Sequence, residues 1–381
     1  MHRIAVFLGT RPEAIKLAPV IQALDEAPDM QPVVISTGQH REMLAQVVEL
    51  FGIGVDHDLQ VMQPDQSLAG LSARLLSAID ALLDEHQFDM ALVQGDTTTV
   101  LMAALCCFYR RIPLGHVEAG LRTGNIWSPF PEEANRKLAS TLTALHFAPT
   151  ERSRQNLLDE HVQDNRIFVT GNTVIDALHL EIKRQQNASV RAHIDDHLAG
   201  LLGPEWRKQP FVLVTGHRRE NFGGGFDQIC QALRTLADRF PDCRFVYPVH
   251  LNPRVQGPVH QELAECPNIQ LIRPLEYQYF VALIEASRLV LTDSGGVQEE
   301  APSLGKPVLV MRDTTERPEG VEAGTVRLVG ADCTSIVEWV SRLLSEADAY
   351  QAMAEAVNPY GDGRAASRIV AAVRDFFAKS A

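Results

Sequence analysis

The chain has 381 residues and a formal net charge of −13 at neutral pH. This length predicts two domains, and the acidic balance argues against nucleic acid or an anionic membrane as the main partner. The six cysteines form no C-x-x-C pair, which favours free thiols over disulfides or a metal site, and no stretch reaches the roughly 18 apolar residues of a membrane span.

Short apolar, β-branched runs recur through the first half of the chain and predict buried strands. The first run, 4–9, is too short for a signal peptide. Strands are predicted at 4–9, 31–37, 90–94, 113–117, 145–148 and 166–170, with helices between them that include 43–51 and 67–85. This alternation of strands and helices predicts a doubly wound parallel sheet.

Two basic residues lie around the first strand-to-helix turn. Arg11 precedes Pro12, which suits the start of a helix, and Lys16 follows about one turn later. A guanidinium fork and an ammonium point charge at such a turn can share a diphosphate, although both residues could simply be solvated.

Acidic residues follow two of the predicted strands and one loop. Asp96 lies at a strand's carboxyl end, where open α/β sheets bind ligands, but could equally cap the next helix. Glu118 occupies the corresponding position after strand 113–117. Glu132 and Glu133 follow a loop with two prolines and could simply cap a helix that starts at Ala134.

A second series of strands and helices follows a polar, helix-prone segment at 183–209. Its strands are predicted at 211–215, 244–249, 268–272, 289–292 and 307–311. We therefore predict two Rossmann-like α/β domains, at 1–172 and 173–362, that face a central cleft, with the terminal helix 363–381 packed back on the first.

The stretch 289–307 predicts an anion site within the second domain. An apolar strand leads into Asp293-Ser294-Gly295-Gly296, and a helix follows. The free N–H groups at such a helix N-terminus bind phosphate, and glycines let it approach the backbone. The turn is neither the P-loop nor the dinucleotide fingerprint. Glu299 or Glu300 could accept ribose hydroxyls, or could only compensate the helix dipole.

His217 follows the strand at 211–215 and begins the run His217-Arg218-Arg219. A single histidine is more often structural than functional. The two adjacent arginines at a strand end shift the interpretation toward contact with an anion or acid–base work.

Eleven segments between Gly9 and about Arg364 resemble the bacterial non-hydrolysing UDP-N-acetylglucosamine 2-epimerases. They are GTRPEAIKLAP, TGQHREM, QGDTTT, GHVEAGLRT, SPFPEEANR, TGNTVIDAL, VTGHRREN, YPVHLNP, LTDSGGVQEEAPSLGKPVL, MRDTTERPEG and NPYGDGRA. The resemblance implies a glycosyltransferase-B-like fold, interconversion of UDP-GlcNAc and UDP-ManNAc for cell-surface polysaccharide, a cytoplasmic location and a homodimer, without a cofactor.

The resemblance also implies which residues contact the UDP-sugar. These are Arg11, Lys16, Asp96, Glu118, His217, Leu275, Phe280, Ser294, Gly295, Gly296, Glu300 and Arg317, with the contact at Leu275 made through its backbone. Asp96, Glu118 and Glu132 are the acids linked to chemistry, with His217 beside them. A second UDP-GlcNAc would bind as an activator near Gln39, His40 and Arg41, where Glu42 and Asp65 differ from some relatives.

The chemistry of the sugar favours an elimination route. No carbonyl acidifies the hydrogen on carbon 2, and the chain lacks the G-x-G-x-x-G fingerprint expected for oxidation by NAD. Loss of that proton together with UDP would give a 2-acetamidoglucal, which needs acids on both sugar faces and a stabilised diphosphate. A glycosyltransferase, a hydrolysing epimerase and a nucleotide-sugar sensor without turnover remain alternatives.

Overall fold

The computed structural model describes residues 1–38, 41–63 and 66–380. The chain divides into two units, Met1–Ala177 with the segment from Tyr360 onward, and Leu178–Pro359. None of the helices in these ranges combines the length and apolar character that crossing a membrane requires.

The strands are short, and all except β3 and β13 follow apolar runs of the sequence. They are β1 (His2–Leu8), β2 (Met30–Ser36), β3 (His57–Asp58), β4 (Met90–Gln94), β5 (Leu114–Val117), β6 (Leu145–Ala148), β7 (Ile167–Val169), β8 (Phe211–Thr215), β9 (Arg244–Pro248), β10 (Ile269–Ile272), β11 (Leu289–Thr292), β12 (Val308–Val310) and β13 (Val326–Leu328).

Helices connect the strands and close the chain. They are α1 (Arg11–Asp25), α2 (Arg41–Leu50), α3 (Leu68–Glu85), α4 (Thr98–Tyr109), α5 (Glu132–Leu142), α6 (Glu151–Asp159), α7 (Thr173–Gln185), α8 (Ala188–Leu202), α9 (Gly224–Arg239), α10 (Pro253–Leu263), α11 (Tyr277–Ala286), α12 (Gly295–Ser303), α13 (Pro318–Glu322), α14 (Cys333–Ser345), α15 (Ala347–Ala354) and α16 (Ala365–Ser380). Short 3₁₀ turns occur at Asp164–Arg166 and Arg219–Asn221.

The first unit contains one parallel sheet in the order β3-β2-β1-β4-β5-β6-β7. The order reverses at β1, whose neighbours are β2 and β4, and ligands bind beside such switch points at the carboxyl ends of the strands. β4 pairs in turn with β5. The segments that carry Arg11, Asp96 and Glu118 therefore begin at three adjacent strand ends.

The second unit repeats this architecture in the order β10-β9-β8-β11-β12-β13. Alternate residues of β8 enter different clusters: Phe211 and Leu213 pack with α8 and α11, while Val212 and Val214 pack with α9 and α14. Both faces of the sheet are thus covered, as apolar strands without polar alternation require. The fold class predicted from the sequence, two doubly wound parallel sheets, is confirmed.

The terminal helix α16 belongs to the first unit and packs against α1. Asp176 accepts the backbone N–H groups of Ala365 and Ala366 at 3.1 and 2.9 Å, which supplies two of the partners that a helix N-terminus lacks. Further along α16, Arg374 forms an ion pair with Asp29 at 2.8 Å.

Two edge strands, β3 and β13, were missing from the sequence prediction. β3 has two residues and β13 has three, and neither forms an apolar run. Strands this short depend on pairing with a neighbour that is already in place, so local sequence carries little signal for them.

Candidate functional site

Glu118 is held by several donors at the end of β5. Lys16 Nζ donates to Oε1 at 2.5 Å, and Asn172 Nδ2 donates to the same oxygen at 2.9 Å. Gln94 donates to Oε2. The Glu118 backbone has a φ of 62°, an uncommon conformation for a residue with a side chain. The tertiary structure therefore dictates where this carboxylate points, and Lys16 is paired with it.

Asp96 follows β4 and forms an ion pair with Arg136 of α5. Arg136 Nε and Nη2 both donate to Asp96 Oδ2, at 2.9 and 2.6 Å. The other oxygen, Oδ1, accepts no hydrogen bond from the described residues. Thr97 caps α4 by accepting the N–H of Val100, so the alternative that Asp96 is the cap is wrong.

Glu132 and Glu133 differ in their surroundings although they are adjacent. Glu133 is fully buried and accepts the backbone N–H groups of Thr123 and Gly124 at 3.2 Å. Helix α5 begins at Glu132 rather than at Ala134, and its cap position is Pro131, so neither glutamate is the cap residue. Both lie in its first turn, where acids favour the helix dipole, so that alternative stays beside the functional one. Glu132 Oε2 is buried without a hydrogen-bond partner among the described residues.

The geometry of α5 brings Glu132 toward Asp96. Asn135 Nδ2 donates to the Asp96 carbonyl at 2.8 Å, and Arg136 holds the Asp96 carboxylate. Glu132 lies three and four positions earlier, on the same face of the helix. Glu118 is close as well, since a side chain at Gly95 would meet its Oε2 at 3.9 Å. The three predicted acids therefore come from neighbouring segments of the first unit: Asp96 and Glu118 follow β4 and β5, and Glu132 begins the helix that is bonded to Asp96.

Glu13 is a buried carboxyl group that the sequence analysis missed. It accepts the backbone N–H of Gly9 at 3.1 Å and the hydroxyl of Thr97 at 2.7 Å, which joins the turns after β1 and β4. Burial raises the pKa of Glu13 to about 7, although hydrogen bonds from Thr97 and Thr10 oppose the shift. The pattern T-x-x-E at the start of α1, typical of a capping box, was the available signal.

The raised pKa of Glu13 predicts that it makes stability depend on pH. A carboxyl whose pKa is higher in the folded state favours folding most below its unfolded value of 4.5, and this contribution is lost as pH rises to about 7. The full loss is about 3 kcal/mol. We expect Glu13→Gln to remove this slope from the free energy of unfolding, measured by urea titration at several pH values.

The control for this prediction is Glu26→Gln, which changes an exposed glutamate at the other end of α1. Burial lowers the pKa of His116 to about 4 and that of His146 to about 3. Because their pKa is lower in the folded state, both histidines make the free energy of unfolding increase as pH rises toward 6.5. The quantity to compare is therefore the difference in this free energy between the parent and Glu13→Gln. An equal dependence of the unfolding free energy on pH in the parent and in Glu13→Gln would contradict the prediction.

The predicted anion turn of the second unit has the expected geometry. Strand β11 ends at Thr292, Ser294 is the cap residue, and α12 begins at Gly295. A side chain at Gly295 would come within 2.7 Å of the Arg317 guanidinium. Arg317 thus lies against the positive end of a helix, where a cation is unfavourable unless anions balance it.

Glu299 supplies one such anion, since its Oε1 accepts from Arg317 Nε at 2.5 Å. Glu300 instead accepts the hydroxyl of Tyr277 at 2.9 Å. Both acids lie beyond the first turn of α12, so compensation of the helix dipole does not explain them. The partly buried side chains of Leu275 and Phe280 pack against the hydrophobic cluster that α8 and α11 form with β8.

His217 lies at the end of β8, next to the anion turn. Its Nδ1 is 3.2 Å from Oδ1 of Asp293, and its ring stacks on His250 with 5.5 Å between centroids. The ion pair fits a structural histidine, whereas the 39% exposure of the side chain fits contact with a ligand.

The predicted activator segment lies mostly outside the described residues. Gln39, His40 and Asp65 are not described, and α2 begins at Arg41, whose side chain is not described, nor is that of Glu42.

Two partners of the acids, Arg136 and Asn172, were absent from the predicted site. Both occur within quoted motifs, SPFPEEANR and TGNTVIDAL. Arg136 stands four positions after Glu132, a spacing that places both on one helix face and was an available signal. Asn172 lies 54 positions from Glu118, so no local pattern connects them.

Two doubly wound units and an anion turn after a strand of the second define the class of glycosyltransferase-B-like α/β proteins. The family model described as UDP-N-acetylglucosamine 2-epimerase matches residues 22–374. The UDP-N-acetylglucosamine 2-epimerase of Escherichia coli (strain K12) is 55% identical over 376 residues, which covers 98% of each chain.

Solved structures agree with this match. The Neisseria meningitidis UDP-GlcNAc 2-epimerase bound to UDP-GlcNAc is 47% identical with a TM-score of 0.91, and the match covers 98% of this chain and 100% of that one. The Methanocaldococcus jannaschii enzyme in complex with UDP-GlcNAc and UDP is 32% identical with a TM-score of 0.82, over 98% and 99%. The chain belongs to the UDP-N-acetylglucosamine 2-epimerase family.

Proposed function

We propose that this protein interconverts UDP-N-acetylglucosamine and UDP-N-acetylmannosamine without hydrolysis, by elimination and re-addition of UDP. The observation that carries the proposal is that Asp96 and Glu118 lie at neighbouring strand ends, while Glu132 begins the helix whose Arg136 holds Asp96. Several carboxyl groups are unfavourable for a protein that only binds an anion, whereas a reaction that moves protons at carbon 2 needs them.

The reaction balances without an added oxidant or cofactor. A carboxylate takes the proton from carbon 2, the electrons of that C–H bond form the C1=C2 double bond, and the C1–O bond breaks as UDP leaves with its electron pair. A carboxylic acid then returns a proton to the other face of carbon 2 while an oxygen of UDP attacks carbon 1.

The environments of the three acids favour different roles. Both oxygens of Glu118 are engaged by Lys16, Asn172 and Gln94, which suits a group that orients Lys16 and substrate. Asp96 Oδ1 and Glu132 Oε2 have no hydrogen-bond partner among the described residues. We therefore assign proton transfer on the two sugar faces to Asp96 and Glu132.

The anion turn and Arg317 would receive the diphosphate. The N–H groups of Gly295 and Gly296 begin α12, and the Arg317 guanidinium lies beside Gly295. Charge that develops on the leaving diphosphate is stabilised by donors that are already in place. In this proposal Glu300, oriented by Tyr277, accepts ribose hydroxyls, and Phe280 and the Leu275 backbone contact the nucleoside.

Gly295→Ala tests the position of Arg317. The added methyl group would displace the guanidinium, because a contact of 2.7 Å cannot be kept. We expect the dissociation constant for UDP, measured by calorimetry, to rise about tenfold or more. Gly257→Ala in α10 is the control, since a methyl group there meets nothing within 4 Å. An unchanged constant in Gly295→Ala would remove Arg317 from the site.

A proton NMR time course with UDP-GlcNAc in D2O, without NAD, tests the function. Appearance of UDP-ManNAc with deuterium at carbon 2 is the expected result. Free ManNAc with UDP would identify a hydrolysing epimerase. Release of UDP only when an acceptor is added would indicate a glycosyltransferase, and tight binding without product would indicate a sensor.

A homodimer, a cytoplasmic location, activation by a second UDP-GlcNAc and supply of ManNAc units for surface polysaccharide stay predictions from the resemblance. Light scattering on the purified protein tests the dimer, which would have twice the chain mass of 42.1 kDa. Sigmoidal dependence of the rate on UDP-GlcNAc tests activation.

A further inference from the structure

Asp293 is a buried acid beside the anion turn, and the roles proposed above do not use it. It follows β11 directly and is fully buried. Its Oδ2 accepts the backbone N–H groups of His217 and Arg218, at 2.7 and 2.8 Å. These two bonds tie the turn after β8 to the turn after β11.

The second oxygen of Asp293 serves a different purpose from the first. Oδ1 is buried 3.2 Å from His217 Nδ1, in ion-pair geometry rather than a well-aligned hydrogen bond. An asparagine would hold the two backbone N–H groups equally well, so they do not require a charge. A buried carboxylate is costly unless it is paired, and the imidazole is the group that pairs with it.

Other groups around this pair do not replace His217. The His250 ring stacks on His217. Burial is the main cause that lowers the pKa of His250, and the nearby His217 is a smaller one. Arg218 contributes its backbone N–H to Asp293. Tyr247 donates its hydroxyl to the Gly216 carbonyl at 3.4 Å, and burial raises its pKa, so it stays neutral. Burial alone would raise the pKa of Asp293, but bonds from His217 and Arg218 lower it.

We propose that Asp293 is a positioning residue for His217, which it holds with Nδ1–H toward Oδ1 so that Nε2 is presented to the leaving diphosphate. The role assigned to Nε2 rests on the proposed function, whereas the orientation of the ring does not. A carboxylate that holds one ring nitrogen selects the tautomer and stabilises the imidazolium. Positive charge beside the anion turn then assists departure of UDP.

Asp293→Asn separates this role from a structural one. The asparagine oxygen still accepts both backbone N–H groups, and its NH2 group takes the place of Oδ1. An NH2 group facing Nδ1 can only donate, so the neutral ring must carry its proton on Nε2. In ring-¹⁵N histidine NMR, with His217→Gln to assign the signal, we expect His217 to change from the Nδ1–H to the Nε2–H tautomer.

The kinetic expectation is a loss in kcat with little change in KM. We expect kcat of Asp293→Asn with UDP-GlcNAc to fall about a hundredfold, while KM stays within about threefold. Tyr247→Phe is the matched control, because it removes a buried polar bond to the same turn and leaves the ion pair. That variant should keep the parent tautomer and a kcat within about twofold of the parent.

An unchanged His217 tautomer in Asp293→Asn, or a kcat equal to that of the parent, would overturn the proposal. Equal loss of kcat in Tyr247→Phe would also overturn it, since general loosening of the turn would then explain the result. A parent protein without epimerase activity would instead refute the proposed function, while the NMR comparison would still decide whether Asp293 orients His217.

Discussion

Asp96→Asn is expected to lower kcat for epimerisation of UDP-GlcNAc by about a thousandfold while UDP affinity changes by less than about threefold. The amide keeps the shape of the carboxylate and can still accept from Arg136, but it cannot take a proton from carbon 2. The UDP contacts proposed above lie on α12 and its neighbours, so binding should persist. NMR turnover and calorimetry with UDP measure the two quantities.

The matched control is Asp80→Asn on α3. Asp80 also accepts from an arginine, with Arg110 Nε at 2.8 Å, but this pair joins the C-terminal parts of α3 and α4. These parts lead into the amino ends of β4 and β5, whereas the acids follow the carboxyl ends. Its kcat should stay within about twofold of the parent, because surface ion pairs contribute little. Full activity in Asp96→Asn would remove Asp96 from the chemistry.

Glu132→Gln is expected to slow net epimerisation by a similar factor, about a thousandfold. Exchange of the carbon 2 hydrogen with solvent should nevertheless continue in one of the two epimers. If Asp96 and Glu132 serve opposite faces of the sugar, each single variant keeps one acid. That acid can remove and return the carbon 2 hydrogen on its own face. In D2O, Asp96→Asn should therefore exchange only one epimer, and Glu132→Gln only the other.

Glu151→Gln controls for the position of Glu132 in its helix. Glu151 begins α6 as Glu132 begins α5, and its side chain is exposed. It should retain both epimerisation and exchange. Exchange of the same epimer by both acid variants, or undiminished epimerisation in Glu132→Gln, would contradict the two-face assignment.

The fold could be predicted largely from local patterns. Strands 90–94, 145–148, 211–215 and 289–292 coincide with β4, β6, β8 and β11. Each is buried on both faces, which demands a continuous apolar run, and each ends in a turn that polar residues or glycine mark. Edge strands β3 and β13 lack such runs because they are covered less completely.

The acids of the candidate site could be predicted for a related reason. Parallel strands bring their carboxyl ends to one edge of the sheet, so Asp96 and Glu118, each within two residues of a strand end, must come near each other. The glycine turn after β11 likewise had to open a helix. The order of these residues along the chain was sufficient to predict their position, because parallel strands all end at the same edge of the sheet.

The sequence by itself therefore determined the two-sheet class, the sheet edge at which Asp96 and Glu118 lie, the glycine turn that opens α12 and the family resemblance. Only the tertiary structure decided which charges pair: Lys16 with Glu118, Arg136 with Asp96, Arg317 with Glu299, and His217 with Asp293. The physical reason is that burial imposes a periodic pattern on the chain, whereas ion pairs join residues that are far apart in sequence and satisfy one another only once packing has placed them.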